Sequence, residues 1–264
     1  MDLGLAGKRA LLLAATRGLG RAAAEALAAE GASVALSSSD AARCDAAARE
    51  IAAAHDVRAV GIAADLFDPA AMAGLYAEAV RALGGDIDIL FLNHPGPKLG
   101  LASEVDPDDL APQFRMMVES PIRLIRLALP AMRARRFGRI LTVSGGGMVA
   151  PLPNKVMDDT LRPAIAAYSK ALANEVAADG VTANVVLPGT FITERVHHST
   201  ASNAALFGIT VEEAMRRRVE NIPAGRFGEL AEFGAVVAFL ASARAGYVNG
   251  AVVRVDGSQI RSIL

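Results

Sequence analysis

Residues 14–20 read AATRGLG and contain two closely spaced glycines of the kind that bind phosphate groups. They follow an apolar run at residues 8–14 and precede an alanine-rich segment at residues 21–30, so we expect a strand, a turn and a helix. Glycine in such a turn lets backbone N–H groups approach a pyrophosphate, which the positive end of the helix dipole also favours. The pattern predicts a phosphate-binding turn formed by Thr16, Arg17, Gly18, Leu19 and Gly20.

A second group of residues with possible chemistry lies near position 160. Asp158 and Arg162 are four apart and could form an ion pair if one helix includes both, with Asp159 as a competing partner. Pro163 limits this, because the residue before a proline is pushed away from the helical region. We favour the interpretation that Asp159 or Thr160 caps a helix whose first turn contains the proline.

Apolar segments and helical segments alternate along the whole chain. Strands are expected at residues 8–14, 33–36, 57–63, 87–92, 139–143, 182–186 and 252–255. Helices are expected at residues 21–30, 40–54, 69–83, 114–136, 160–178, 211–219 and 230–241. This alternation predicts a single α/β domain over residues 1–264, with a doubly wound, Rossmann-like parallel sheet of seven strands.

Residues 190–210 lack a firm period, and they lie between a strand end and a helix. They form either a mobile lid over the site or an ordinary long connection. The lid interpretation extends to about residue 220 and makes this segment the part that would select a substrate.

The expected second strand is followed by Ser37, Ser38 and Ser39, with no carboxylate before Asp40. An acidic residue at this point accepts both ribose hydroxyls of NAD and repels a 2′-phosphate. Hydroxyl donors at Ser38 and Ser39, together with the Arg17 guanidinium, instead suit a phosphate. We therefore expect NADP(H). NAD(H) is the alternative if Arg17 is simply an exposed loop residue and the serines merely end the strand.

Composition excludes several other classes of function. The 264 residues have a net charge of −1 with both signs interspersed, so nucleic acid and anionic membranes are not expected partners. The single cysteine, Cys44, excludes an internal disulfide framework, and no metal site is expected from the adjacent His197 and His198. No apolar run is long enough to span a membrane and no cleavable signal is evident, so we expect a cytoplasmic protein.

An ordered set of motifs resembles the short-chain dehydrogenase/reductase family, in particular its 3-oxoacyl-ACP reductases. Gly18 and Gly20 match the family's T-G-x-x-x-G-x-G turn, in which Leu13 and Ala14 take the threonine and first-glycine positions. The resemblance implies further cofactor-binding residues after later strands. They are Asp65 and Leu66 beside the adenine, Asn93 in a segment resembling N-N-A-G, and Pro188, Gly189 and Thr193 over the nicotinamide.

The same resemblance locates the family's catalytic asparagine, serine, tyrosine and lysine. Those four positions fall on Met117, Gly145, Asp158 and Arg162, so all four residue types are changed. Counts from the strands on either side agree on Gly145 and Asp158. Ser144 precedes Gly145 and is a third catalytic candidate, after Asp158 and Arg162. A carboxylate beside an arginine is a poor proton donor near neutral pH, so Asp158 could act as a base or bind a cationic substrate.

Other polar residues lie near these positions and could also take part in catalysis. Tyr168 and Lys170 are two apart and point to different sides of a helix, so neither is assigned to catalysis. His94 and Lys155 remain as polar candidates near the pocket, although His94 could equally be a loop histidine bonded to the backbone.

We expect an NADP(H)-linked oxidoreductase that acts on a carbonyl or alcohol of a small molecule and uses an unusual proton-transfer group. A catalytically silent ligand-binding protein and a non-redox lyase or isomerase are the alternatives. The resemblance also implies a homo-oligomer, a tetramer or a dimer, assembled through the C-terminal helix and strand and the apolar end Ile263-Leu264.

Overall fold

The computed structural model describes residues 1–263, except the side chains of Arg195, Ser202, Asn203 and Leu206. Leu264, which the sequence assigns to an assembly surface, lies outside the described residues.

Seven strands of the described chain form one sheet in which every neighbouring pair is parallel. The strands are β1 (Arg9–Leu13), β2 (Ser33–Ser38), β3 (Ala59–Ala63), β4 (Ile89–Leu92), β5 (Gly138–Val143), β6 (Val181–Pro188) and β7 (Val252–Val255). Their order is β3-β2-β1-β4-β5-β6-β7. The prediction of a doubly wound, seven-stranded parallel sheet is confirmed. The direction of winding reverses between β1 and β4, and ligands bind such sheets at that point, beyond the carboxyl ends of the strands.

Helices connect the strands and cover both faces of the sheet. They are α1 (Gly18–Ala29), α2 (Ala41–His55), α3 (Ala71–Leu83), α4 (Pro107–Phe114), α5 (Ser120–Ala134), α6 (Val156–Val176), α7 (Glu194–Phe207), α8 (Val211–Glu220) and α9 (Leu230–Ala241). Side chains of α3, α5 and α6 bury one face of the sheet, and those of α1, α2 and α9 bury the other. Both faces of the strands are therefore covered, which explains why the strands read as continuous apolar runs.

The helix expected at residues 160–178 begins earlier than the sequence indicates. Helix α6 begins at Val156 after Lys155, so the prediction that Asp159 or Thr160 is its N-cap is wrong. Both acidic residues, Asp158 and Asp159, lie in its first turn, where they face the positive end of the helix dipole. Pro163 lies inside the helix rather than in the first turn, and packing around it must offset the missing backbone donor.

The segment expected at residues 114–136 as one helix is interrupted. It consists of the end of α4, a π-helical turn at Arg115–Glu119 and then α5. Met117, the residue at the expected asparagine position, is buried within this π-helical turn. Turns of this kind distort a helix locally and occur frequently at functional sites.

Residues 190–210 are more regular than their sequence indicates, because they contain α7. Thr193 caps α7 by accepting a hydrogen bond on Oγ1 from the Val196 N–H, and Gly208 ends it with a left-handed φ of 63°. The apolar pattern of residues 190–210 does not indicate this helix. A capping threonine and a terminal glycine are the sequence signals that define the helix.

Ala14, where β1 turns into α1, has a φ of +48°, a region that L-residues other than glycine occupy at a cost. We predict that Ala14→Gly raises the free energy of unfolding by about 0.5–1 kcal/mol, because removal of the methyl group relieves this strain. Urea denaturation of the purified protein measures the change.

The control is Ala15→Gly at the adjacent buried residue, which has no positive φ. This change should lower the free energy of unfolding by about 1 kcal/mol through lost packing and a freer unfolded chain. Equal destabilisation by both substitutions would contradict the assignment of strain to Ala14.

Candidate functional site

The glycine turn holds the N-terminus of α1 against the end of β1. A Cβ atom on Gly20 would lie 2.2 Å from the carbonyl oxygen of Ala14, so only glycine permits this approach. Gly18 has a φ of +55°, and a Cβ atom there would lie 3.5 Å from the Thr193 methyl group. The structure therefore brings the turn and Thr193 together, although they are far apart in sequence.

The first turn of α1 is open to an acceptor. Arg17 occupies the N-cap position in an extended conformation, and no side chain caps the helix. The backbone N–H groups at this end, those of Gly18, Leu19 and Gly20, therefore lack the side-chain acceptor that usually satisfies such donors. Together with the helix dipole, this arrangement favours an anion such as a phosphate.

The end of β2 lies on one side of the turn, because the Ala15 N–H donates to the Ser37 carbonyl at 3.1 Å. The Ser38 hydroxyl lies 3.1 Å from the Cys44 sulfur and bonds to the backbone of Asp40, while Ser39 is exposed. The Ser37 hydroxyl is buried with no hydrogen-bond partner among the described residues.

The Asp40 carboxylate, the nearest acid after β2, is engaged elsewhere. It caps α2 by accepting from the Arg43 N–H at 3.0 Å, and it pairs with the Arg43 guanidinium at 2.8 Å. The backbone hydrogen bond from Arg43 is the main cause that holds the pKa of Asp40 below its usual value. Both oxygens of this carboxylate accept from Arg43, so they do not point toward ribose hydroxyls in the way that an NAD-binding acid does.

Residues after β3 and β4 complete the same edge of the sheet. Asp65 is exposed, and its Oδ1 accepts from the Phe67 N–H at 2.9 Å. Leu66 is buried, and its carbonyl accepts from the Ser120 hydroxyl at 2.8 Å, a contact that the sequence did not indicate. The Asn93 amide nitrogen lies 3.4 Å from the Ala14 carbonyl and links the end of β4 to the glycine turn.

The opposite wall is formed by the end of β6 and the helices after it. Pro188 pairs with Val255 of β7, and a Cβ atom on Gly189 would lie 2.6 Å from the Asp256 Cα, so the chain passes closely there. Thr193 then starts α7 beside the glycine turn. The predicted residues therefore lie at the carboxyl ends of the strands, on the edge of the sheet that contains the switch point.

The segment expected as a lid contains a packed pair of helices, α7 and α8. The half-buried Arg218 of α8 donates to the Val196 carbonyl, to the Ser199 hydroxyl at 2.9 Å and to Thr200, all on α7. Burial lowers the pKa of Arg218. Nothing in the run RRR at residues 216–218 distinguishes this inward-facing arginine from its two neighbours.

Asp158, Arg162 and Gly145 come together as the sequence counts predict. The Arg162 Nε lies 2.6 Å from the Asp158 Oδ1, and the side chains are 12% and 7% exposed. The guanidinium also lies 3.4 Å from the Val143 carbonyl. A Cβ atom on Gly145 would lie 3.2 Å from the Arg162 Nε. The arginine thus takes up the space into which a side chain at position 145 would extend.

Asp159 is the polar residue here that the sequence did not single out as a site. Its Oδ2 accepts from the Leu152 N–H at 2.9 Å, while its Oδ1 is buried without a partner among the described residues. Burial raises the pKa of this carboxyl, and the neighbouring Asp158 adds to the effect. A Cβ atom on Gly147 would lie 1.9 Å from Oδ1, so the glycine loop closes over the carboxyl group.

The remaining candidates have identifiable contacts. The buried Ser144 hydroxyl lies 3.4 Å from the Met148 sulfur, and the His94 Nδ1 accepts from the Gly96 N–H at 3.1 Å. The backbone of Lys155 forms an isolated parallel β-bridge with that of Gly100, which joins the loop after β4 to the start of α6.

Tyr168 and Lys170 lie outside this group, in agreement with the sequence interpretation. Tyr168 packs against the core, where burial raises the pKa of its hydroxyl. The Lys170 ammonium lies 3.2 Å from the Gly250 carbonyl.

Within residues 1–263, no described group of three or more His, Cys, Asp or Glu side chains could hold a metal ion. None of the described helices is long and apolar enough to cross a membrane.

The Asp158–Arg162 pair should couple strongly in stability. We predict that Arg162→Met lowers the free energy of unfolding by about 3 kcal/mol, because it leaves a buried carboxylate without its cation. Asp158→Leu should have a similar effect, and the double variant should lose much less than the sum of the two. A double-mutant cycle by urea denaturation measures this coupling.

The matched control is Glu119–Arg123, an exposed pair of the same spacing. Its coupling energy should stay below about 1 kcal/mol. A coupling at Asp158–Arg162 no larger than that of the control would contradict the interpretation of a buried, mutually dependent pair.

The chain is similar in sequence to known reductases and dehydrogenases. A family model described as enoyl-(acyl carrier protein) reductase matches residues 13–258. The chain is 32% identical over 253 residues to 3-oxoacyl-[acyl-carrier-protein] reductase FabG of Salmonella typhimurium, covering 95% of this chain and 96% of that one. It is 33% identical over 258 residues to D-beta-hydroxybutyrate dehydrogenase of Cupriavidus necator, covering 97% and 99%.

Solved structures show the same fold. L-sorbose reductase from Gluconobacter frateurii, complexed with NADPH and L-sorbose, superposes with a TM-score of 0.94 at 28% identity over 100% of both chains. YwfH, an NADPH dependent reductase involved in bacilysin biosynthesis, gives a TM-score of 0.91 at 26% identity, covering 97% of this chain and 99% of its own. On these grounds, the chain belongs to the short-chain dehydrogenase/reductase family and is similar to its 3-oxoacyl-ACP reductases.

Proposed function

We propose that this protein is an NADP(H)-dependent oxidoreductase that reduces a carbonyl, or oxidises an alcohol, of a small molecule. The observation that carries the proposal is the N-terminus of α1, which has no side-chain cap from Arg17 and lies beside Thr193 and the end of β2. Two similar solved structures, an L-sorbose reductase complexed with NADPH and an NADPH dependent reductase, support the same cofactor here.

The residues present fit a dinucleotide. Gly18 and Gly20 supply close approach to the backbone, and Thr16, Arg17 and Leu19 complete the phosphate-binding turn. Asn93, Pro188, Gly189 and Thr193 would hold the nicotinamide end, and Asp65 and Leu66 the adenine. Preference for the 2′-phosphate is assigned to Arg17, Ser38 and Ser39, because the Asp40 carboxylate is committed to Arg43.

The nicotinamide, when bound, supplies or accepts the hydride. The residues of this chain then have to move one proton at the substrate oxygen. We assign the acceptor role to Asp158: its carboxylate accepts the proton of an alcohol during oxidation and releases it to water. During reduction, water supplies the proton to the substrate oxygen, because a carboxylate beside an arginine is a poor proton donor. Arg162, at 2.6 Å, keeps the carboxylate oriented, and Ser144 is a further candidate donor beside them. Water relays the proton wherever Asp158 does not reach the substrate.

The mutual pairing of Asp158 and Arg162 also favours a second candidate function, a catalytically silent ligand-binding protein. A buried carboxylate that is already bonded to a guanidinium has its charge and its hydrogen bonds matched without a substrate. In that case the cleft would bind the dinucleotide, and the protein would act as a sensor or an oligomer partner.

Fluorescence titration of the purified protein with NADPH and NADH tests the cofactor assignment. We expect NADPH to bind about tenfold more tightly, since a charge-assisted contact to the 2′-phosphate adds roughly that factor. Failure of both cofactors to bind would contradict the proposal.

Loss of absorbance by the reduced cofactor then tests turnover over a panel of ketones, keto sugars and 3-oxoacyl thioesters. In the reverse direction, alcohol oxidation followed by gain of absorbance by the reduced cofactor, Asp158→Asn should lower kcat at least tenfold with little change in cofactor affinity, because it removes the proton acceptor. Asp159→Asn is the matched control and should retain kcat. Binding without turnover across the panel would favour the silent protein.

We also propose that the protein is a homo-oligomer, a tetramer or a dimer, and that it resides in the cytoplasm. Large apolar or aromatic side chains are exposed at the surface expected for assembly, with Tyr247 and Ile263 fully exposed and Val252 of the edge strand β7 and Phe239 of α9 partly so. Light scattering should give a mass of two or four 27.3 kDa chains. Tyr247→Ser should weaken the assembly, and a monomer mass for the native chain would contradict it.

A further inference from the structure

One ion pair connects the glycine turn to the lid. The Arg17 guanidinium donates to Glu194, the first residue of α7, across 177 residues of sequence. Both side chains are largely exposed, at 62% and 69%. The pair therefore links the glycine turn to α7 at the protein surface rather than in the interior.

Arg17 lies between two different surfaces. On one side, the Ala15 N–H bonds to the Ser37 carbonyl and places the turn beside the end of β2, where Ser38 and Ser39 follow. On the other side, Gly18 packs against Thr193, and Glu194 follows directly. The turn that carries Arg17 thus lies beside the end of β2, the expected 2′-phosphate position, while its guanidinium pairs with a carboxylate at the start of α7.

A carboxylate and a phosphate make equivalent demands on this arginine. Each accepts two parallel N–H bonds from a guanidinium fork, and the two anions repel each other when both are close. A 2′-phosphate that uses Arg17 must either displace Glu194 or bind beside its negative charge. A cofactor without that phosphate meets neither cost.

We propose that Glu194 is a positioning residue that sets the preference between phosphorylated and unphosphorylated dinucleotides by holding Arg17 toward the lid. The inference rests on the proposed function, because it concerns the affinity of the same cleft for NADP(H) and NAD(H). It adds a residue of the lid, outside the expected cofactor-binding motifs, to the determinants of cofactor choice.

The test measures the Kd of NADPH, NADH and 2′,5′-ADP for the native chain, Glu194→Gln, Arg17→Ala and the double variant. Glu194→Gln should tighten NADPH and 2′,5′-ADP binding about two- to fivefold, the small factor expected of an exposed ion pair, and leave NADH nearly unchanged. In the Arg17→Ala background, the same substitution should have a much smaller effect. Glu194→Asp, which keeps the charge, should stay closer to the native chain.

Glu25→Gln is the control for a general gain in affinity on removing a negative charge, because Glu25 pairs with Arg21 on α1 and not with Arg17. Equal effects of Glu194→Gln on NADPH and NADH would overturn the inference, as would an undiminished effect when Arg17 is absent. If neither dinucleotide binds any variant, the proposed function fails and the inference fails with it. If NADPH binds all variants equally, only the inference fails.

Discussion

The close approach of α1 to the end of β1 is the contact on which the candidate site depends. Gly20 permits it, because any Cβ atom there would collide with the Ala14 carbonyl. The approach brings the positive end of α1 to the carboxyl edge of the sheet, where β2 and β4 contribute Ser37 and Asn93. Thr193 closes the other side against Gly18. One missing side chain thus allows a helix end, two strand ends and the lid to meet.

The proposed proton-transfer group also depends on a glycine, Gly145, that leaves room for a neighbouring side chain. Arg162 occupies the volume beside Gly145, and its guanidinium pairs with Asp158 in a largely buried position. A side chain at position 145 would require Arg162 to shift, because a Cβ atom there would lie 3.2 Å from its Nε. Removing either Asp158 or Arg162 alone leaves a buried charge unpaired.

The strands, their parallel arrangement and the glycine turn could be predicted because they depend on local signals, namely apolar runs and glycines at fixed spacing. The Asp158–Arg162 pair could also be predicted from the sequence, since a spacing of four places two side chains on one helix face. The first residue of α6 could not be predicted, because Pro163 indicates a helix boundary locally while tertiary contacts hold it inside the helix.

Long-range contacts account for the other residues that the sequence did not reveal. The fold decides that Arg218 rather than Arg216 or Arg217 turns toward α7, and that Arg17 meets Glu194. The half-buried Asp159 has a carboxyl oxygen that is buried because a glycine loop closes over it. No local pattern distinguishes these residues from ordinary surface charges, whereas the capping signals of Thr193 and Gly208 were present in the sequence and predict α7.

Hydrogen–deuterium exchange with and without saturating NADP⁺ tests the central claim, that the glycine turn, the end of β2 and the start of the lid form one dinucleotide site. The account predicts slower exchange in residues 14–20, 37–40 and 188–194 together, with α3 unchanged as the internal reference. Unchanged exchange at residues 14–20 under saturating cofactor would contradict it.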